Sequence, residues 1–461
     1  MGIQSIRESV PFLGLSEEEK RFNALLDDVP GSLEYSELVH MLRKPIQYLH
    51  DRYDRYGDVF KTRLMFPAVW VLGAEAMKTL FVTGRHSFSY EKGYGKLSFA
   101  KIFEDSIITM DGEEAATARN ILLPAVGRLG IRESTLKVQE IWSDATASLD
   151  DGKPRDAYDF VNKVTFNVSA NALTGLSLGA ELEEMFPLFA AMVDGTIQSV
   201  PVALPFSPLA RGVKARAELF ERFRPRIAAI RKQEPVGMVG LLAHHRDDNG
   251  ELLPVDEVIN HLLLLFWAGY DTTASAGSWC LHLLAHHPTW QDRLREEAEE
   301  VLQGKDFDLG AVAGLEQLSW FLREQERHRP SIIMFTRETV EEVEVAGRLL
   351  PKGVSVMYSP YMSHHLPTAF ERPNVFDPGR WDPALGDRAA KASNLIVFGG
   401  GPRLCIGRNV ALMQLRVMIL TILRDYTLEP DDRTPHGRDE LPMHRPVNSK
   451  IFFRRIQRDD A

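Results

Sequence analysis

Two stretches of this chain carry residue types whose spacing could do redox chemistry. The first is Phe398-Gly399-Gly400-Gly401-Pro402-Arg403-Leu404-Cys405-Ile406-Gly407, followed at once by an apolar, helix-patterned run to about Leu423. A cysteine that follows a glycine-rich loop and opens a helix sits where backbone N–H groups and the helix dipole favour a thiolate. A metal-bound sulfur needs that. The glycines let the backbone fold tightly around the sulfur, and Gly407 has no side chain to obstruct a flat ligand. Arg403 adds a cation near the thiolate. The plainer alternative is a glycine-rich turn ending in a buried structural cysteine. The second stretch is Ala268-Gly269-Tyr270-Asp271-Thr272-Thr273, inside an apolar run from Val255 to His286. Glycine weakens a helix by about 1 kcal/mol and a threonine hydroxyl competes for the i−4 carbonyl, so this segment is expected to be a local defect with a purpose. Its plainer alternative is a set of polar residues satisfied inside a core helix.

The spaced set Phe398-x-x-Gly401-x-Arg403-x-Cys405-x-Gly407 resembles the haem-thiolate signature of the cytochrome P450 family in full. The resemblance implies that Cys405 is the axial ligand of the iron of haem b and that Arg403 pairs with a haem propionate. It also implies that Ala268 and Gly269 face the haem while Asp271 and Thr272 manage protons. Reductive cleavage of dioxygen needs two of them, and a hydroxyl with ordered water, fed by a carboxylate, can relay them. Arg337, in Phe335-Thr336-Arg337-Glu338-Thr339, resembles the family's strand arginine on a propionate, and Ile332, Ile333 and Met334 before it would then face the pocket, though core packing explains them as well. Arg119 fits a further propionate arginine, with a solvated helix arginine as the other reading. Ala115 stands where the family usually has tryptophan or histidine, which implies one contact fewer. Glu324 and Arg327 fall on the family's Glu-x-x-Arg, and Phe376-Asp377-Pro378-Gly379-Arg380-Trp381 resembles the motif that adds a second arginine, Arg380. Glu326 stands where an apolar residue is usual.

The elements that must position these residues read as mainly α with minor β-sheets. Length alone, 461 residues, gives a prior of about three domains, which the resemblance overrules in favour of a single cytochrome P450 domain over 1–461. Helices are expected up to about Tyr56. A small sheet follows within about 57–73, from Asp58–Leu64 and Ala68–Leu72. Further helices are expected over Glu113–Ala125, Ile131–Leu149, Ala157–Leu173, Ala180–Val200, Val213–Lys232, Val255–His286, Pro288–Gln303 and Leu315–Arg327, and strands between Ser331 and Pro360. The proline-rich Pro201–Pro208 excludes regular helix. By the resemblance it is a lid over the substrate channel, with Phe206 a candidate contact, and the aromatic, glycine-punctuated Thr83–Ser106 overlies the pocket.

A net charge of −10 argues against a nucleic-acid partner. With two cysteines, Cys280 and Cys405, a disulfide framework or CxxC metal site is not expected, and Cys280 reads as a small buried apolar residue. Met1–Lys20 lacks the apolar region of a signal peptide or membrane anchor, so the chain is read as cytoplasmic. No flavin or iron–sulfur motif is present, so electrons are expected from a separate ferredoxin or flavodoxin type donor and its reductase, docking near Arg408 and Arg416. Retention of Asp271 and Thr272 favours a dioxygen-dependent monooxygenase over a peroxide-dependent peroxygenase, an isomerase, or a haem sensor or electron-transfer protein. The chain looks most like the branch containing sterol 14α-demethylases and retinoid or terpenoid hydroxylases. That implies a bulky apolar terpenoid, steroid or lipid substrate, although the sterol enzymes typically carry histidine where Asp271 stands.

Overall fold

The computed structural model describes residues 15–147, 149–173, 181–196, 203–247, 249–302, 309–385, 393–433, 436–441 and 443–457. The first part of the expected N-terminal segment, Met1–Gly14, both ends of the expected helix Ala180–Val200 (180 and 197–200) and the first two residues of the proline-rich connector, 201–202, lie outside them. Six helices position the site: α1 Tyr90–Gly95, α2 Gly112–Val126, α3 Ala157–Asn167, α4 Val255–His286, α5 Glu316–His328 and α6 Arg408–Asp425. The largest apolar cluster gathers around α4, whose buried residues run from Val258 to Ala285 and pack on α3 and α6.

Local chemistry starts these helices where the sequence places them. Ser89 accepts from Lys92 N to cap α1, and Asp156 accepts from Tyr158 N and Asp159 N to cap α3. α5 lacks a capping side chain of its own. The carboxylate of Glu297, on the preceding helix Pro288–Leu302, accepts instead from Gln317 N and Leu318 N at 2.7 and 3.0 Å. α4 remains regular through Gly269 and Thr272, contrary to the expected defect. Thr272 Oγ1 donates to Ala268 O at 2.6 Å while Ser331 Oγ donates to Thr272 O at 2.9 Å, so the competing hydroxyl is absorbed without a break.

The expected hairpin does not form a sheet of its own. Strands β1 Gly31–Ser32, β2 Val59–Arg63, β3 Pro67–Val71, β4 Phe88–Ser89, β5 Phe335–Thr339 and β6 Ser355–Tyr358 make one sheet in the order β1-β2-β3-β6-β5-β4. β3 pairs in parallel with β6 through Val69↔Val356, and β5 is antiparallel to β6 through Arg337↔Val356. Segments far apart in the chain are thereby joined, and α1 follows directly from edge strand β4. The connector residue Phe206 is 90% exposed, so it contacts no channel here.

Candidate active site

The loop before α6 is folded by its glycines. Cys405 N donates to Phe398 O at 2.8 Å and Gly399 N to Ile396 O at 2.9 Å, drawing the loop into a tight ring. Gly399 and Gly401 have φ of +71° and +58°, and a Cβ on Gly401 would lie 2.6 Å from Phe81 O. Gly407 has neither constraint, since a Cβ there would meet nothing within 4 Å. The Phe398 ring is half-buried with the Arg408 guanidinium 5.6 Å from its centroid. Cys405 keeps a large accessible surface yet is ringed by protein closely enough that burial raises its thiol pKa. Its sulfur therefore opens on a recess. The loop and dipole favour the thiolate as expected, through the N–H groups of Gly407 and Arg408 and the charges of Arg119 and Arg408, but burial outweighs them. A bound metal cation would have to supply the remainder.

A second wall comes from α4. Leu265, Ala268, Gly269, Thr272 and Ala276 are half-buried on a helix whose other central residues, apart from Trp267, are fully buried. Their spacing marks one face, so that face borders open space. Gly269 lies within it, with nothing within 4 Å of an added Cβ. Asp271 is turned to the packed side, where Tyr158 Oη donates to its Oδ1 at 2.6 Å. Burial raises the Asp271 pKa, against the Tyr158 hydrogen bond and the charge of Arg445. The Arg445 guanidinium lies 4.2 Å from the Tyr158 ring centroid and pairs with Asp439 at 3.0 Å, near the surface.

Two arginines converge on a tyrosine that sequence reasoning places only among the pocket aromatics. Arg337 and Arg403 lie 3.3 and 4.2 Å from the Tyr90 ring centroid. Arg337 donates to Tyr358 Oη at 2.8 Å and Arg403 to Ile107 O at 2.5 Å. Among the described residues neither has an ion pair, and burial lowers the Arg403 pKa. Buried cations without a counter-charge are strongly disfavoured, so this corner suits an anionic ligand. Asp111 fixes it in place by accepting from Tyr90 N at 2.9 Å. Arg119 is half-buried and lies apart from that pair. It donates to Leu404 O at 2.9 Å and braces the cysteine loop. Ala115 is buried, as a small residue permits.

Below the loop, Glu324 is fully buried and accepts from Arg327 Nε and Nη2, Arg380 Nε, Trp381 Nε1 and Asp377 N at 2.8 to 3.0 Å. The expected triad is assembled. Of the residues before β5, Ile333 packs with Ile46 and Tyr361 in a small core, joined by Met334, which is the core-packing reading. Arg416 is half-buried and donates to Ser319 Oγ at 3.1 Å. Sequence reasoning misses the roles of Tyr90, Tyr158 and Arg445. Their partners lie far away along the chain, and no local period signals such pairs.

An accessible cysteine in a ring of amides, an open helix face and two guanidiniums without an ion pair among the described residues fit a planar, anionic, metal-bearing cofactor. The site is that of a haem-thiolate protein. The cytochrome P450 family profile matches residues 33–450. The chain is 27% identical over 431 residues to human cytochrome P450 26B1, covering 90% of this chain and 84% of that protein. It is 29% identical over 415 residues to abscisic acid 8'-hydroxylase 1 of Arabidopsis thaliana, covering 87% and 85% respectively. In fold it is similar to retinoic acid bound cyanobacterial CYP120A1, with a TM-score of 0.84 and 24% identity over 93% of this chain and 99% of that one. The chain belongs to the cytochrome P450 family of haem-thiolate monooxygenases. The family uses redox partners and small-molecule substrates, and no helix among the described residues is long and apolar enough to cross a membrane.

Proposed function

We propose that this chain is a dioxygen-dependent hydroxylase of a bulky apolar, isoprenoid-like molecule, with haem b held by Cys405. Electrons arrive singly from a separate ferredoxin or flavodoxin type donor and its reductase, in the cytoplasm. The observation that carries the reading is the division of labour on α4: Thr272 stands on the open face, while Asp271 stands on the packed face and is linked through Tyr158 and Arg445 to Asp439 near the surface. An acid and an alcohol on adjacent residues can pass a proton to the recess once the Asp271 carboxyl reaches it, directly or through water, while Arg445, which keeps its own proton, steadies Tyr158 by its charge.

When bound, haem supplies the iron at which dioxygen is activated, its thiolate ligand pushing electron density that favours O–O cleavage. The chain's residues do the rest. Thr272 Oγ1 gives its own proton to Ala268 O, so its lone pairs are left to accept from a water in the recess. Asp271, its pKa raised by burial, retains a proton more readily than a solvated carboxyl. Tyr158, whose pKa is pushed up by burial and by Asp271, stays a hydrogen-bond donor and holds Oδ1 on the packed side. Transfer to the recess then needs a swing of the Asp271 carboxyl or an intervening water. Arg337 and Arg403 would hold the propionates, with Phe398, Gly401 and Gly407 shaping the loop around the sulfur and Ala268 and Gly269 admitting the ring plane.

The substrate class is supported by an aromatic cluster next to the open face. Trp267 lies 5.0 and 5.1 Å from Phe99 and Phe103, with Tyr94 5.5 Å from Phe99. A relative bearing the name abscisic acid 8'-hydroxylase points the same way. Neither cysteine forms a disulfide, which suits a reducing compartment. The test is a spectral titration of the ferric, haem-loaded protein with apolar isoprenoids, followed by turnover with a ferredoxin, its reductase and NAD(P)H. Displacement of the iron's water and a product heavier by one oxygen atom are expected. Product formed with peroxide alone, and none with the donor system, would overturn the proposal.

A further inference from the structure

At its C-terminal end, α4 carries a cluster of side chains that the haem site does not use. His282 and His286 lie one turn apart, and His436, 150 residues further along, meets them from the segment that leads into a two-stranded sheet of Gly437–Asp439 and Arg445–Val447. Ring centroids are 4.3 Å apart for His282 and His286, 4.8 Å for His282 and His436, and 5.3 Å for His286 and His436. One ring nitrogen from each falls within 4.8 Å of the others.

The outward nitrogens of the two helical rings are held in place. His286 Nδ1–H donates to His282 O at 2.7 Å, which fixes its tautomer and leaves Nε2 as a bare lone pair. That Nε2 is buried and has no hydrogen-bond partner, with only Asp432 Oδ1 at 3.7 Å. His282 Nδ1 lies 2.9 Å from Ser449 Oγ, which steadies its ring in the same way. A metal-binding histidine is typically supported so, its second nitrogen bound to a carbonyl or other polar group. A buried acceptor with no donor is costly, and nothing else on α4 relieves it.

We propose that His282, His286 and His436 form a binding site for a divalent borderline cation of the zinc class, with Asp432 or a water completing four-coordination. Neutral imidazole suits zinc, and three such donors with a carboxylate or water make a tetrahedral set. Zinc–nitrogen bonds of about 2.0–2.1 Å set donors about 3.4 Å apart, so the rings draw together by about an ångström. His436 is exposed and can make that movement. The ion would fasten the lead-in of the C-terminal sheet to α4. The same sheet is already tied to that helix by Ser275 Oγ and Trp279 Nε1, both donating to His444 O at 2.7 Å.

The experiment takes the haem-loaded full chain, stripped with a chelator, and titrates it with zinc by calorimetry. The zinc-loaded sample is then measured by X-ray absorption at the zinc edge. One zinc per chain with three imidazole ligands, and a thermal transition raised by zinc, are expected. His436→Ala removes an exposed ligand with little risk to folding and is expected to lower affinity at least about tenfold and abolish the thermal shift. Ser449→Ala, which touches no metal, is expected to weaken binding about 10–100-fold. Absence of stoichiometric binding, a first shell without imidazole, or equal affinity in wild type and His436→Ala would each overturn the site.

Discussion

Glu326 reads from sequence only as a residue out of keeping with its position, and the structure turns it into a measurable pH effect. It lies on α5, 5% exposed, against a recess of about 120 Å³ that it shares with Arg323, Phe398, Leu404 and Arg408 on the underside of the cysteine loop. Burial pushes its pKa from 4.5 to about 7, although Arg408, Arg323 and Arg416 pull the other way through space. The folded protein therefore binds this proton more tightly than the unfolded chain. Below pH 4.5 both states are protonated and nothing is lost. As pH rises from 4.5 through about 7 the unfolded chain releases the proton first, and stability falls by up to about 3 kcal/mol at full deprotonation. Glu326→Gln removes this dependence. Part of the gain returns through Arg416, which burial pulls down and Glu326 supports, so the variant is expected to be more stable than wild type by about 1–3 kcal/mol at pH 8 and nearly equal to it at pH 5. Urea unfolding of both proteins at the two pH values reads the double difference. A variant that loses stability relative to wild type at pH 8 would refute the reasoning, because it would mean that ion pairing of the carboxylate with the neighbouring arginines outweighs the cost of burying it.

Three further outcomes follow from the same geometry. Glu324→Gln strips the counter-charge from fully buried Arg327 and is expected to destabilise by about 3–5 kcal/mol; an unfolding midpoint and haem content equal to wild type would contradict this. Gly401→Ala places a Cβ against Phe81 O at positive φ and is expected to destabilise the protein even without haem by about 1–3 kcal/mol, whereas Gly407→Ala meets no protein atom and is expected to spare the apo fold while impairing haem retention. Equal effects of the two substitutions on the apo protein would remove the distinction. Thr272→Ala is expected to keep haem binding and reductant consumption but divert the electrons to hydrogen peroxide, measured as the ratio of product to NAD(P)H; an unchanged ratio would exclude the hydroxyl from the relay.

What is legible in the sequence follows a physical rule. The cysteine loop, α4 to its end residues and the Glu324 cluster can be read because each is encoded within a short segment: a tight ring closed from Phe398 to Cys405, an apolar run of one periodicity, an i, i+3 pair. The joining of β3 to β6, the burial of Ile333 and the inward turn of Arg416 depend on which distant segment arrives alongside, and a single chain carries no local mark of that. The same rule explains the most informative feature that sequence reasoning misses. Arg337 and Arg403 are each expected to meet an anion, but only folding brings both guanidiniums onto one ring, Tyr90, held there by Asp111. Two like charges so close repel, and with no carboxylate ion-paired to either among the described residues an anion supplied from outside the chain would stabilise the arrangement. This corner is thus short of negative charge in the polypeptide alone, so under the proposed haem reading cofactor binding is expected to order the α1 region.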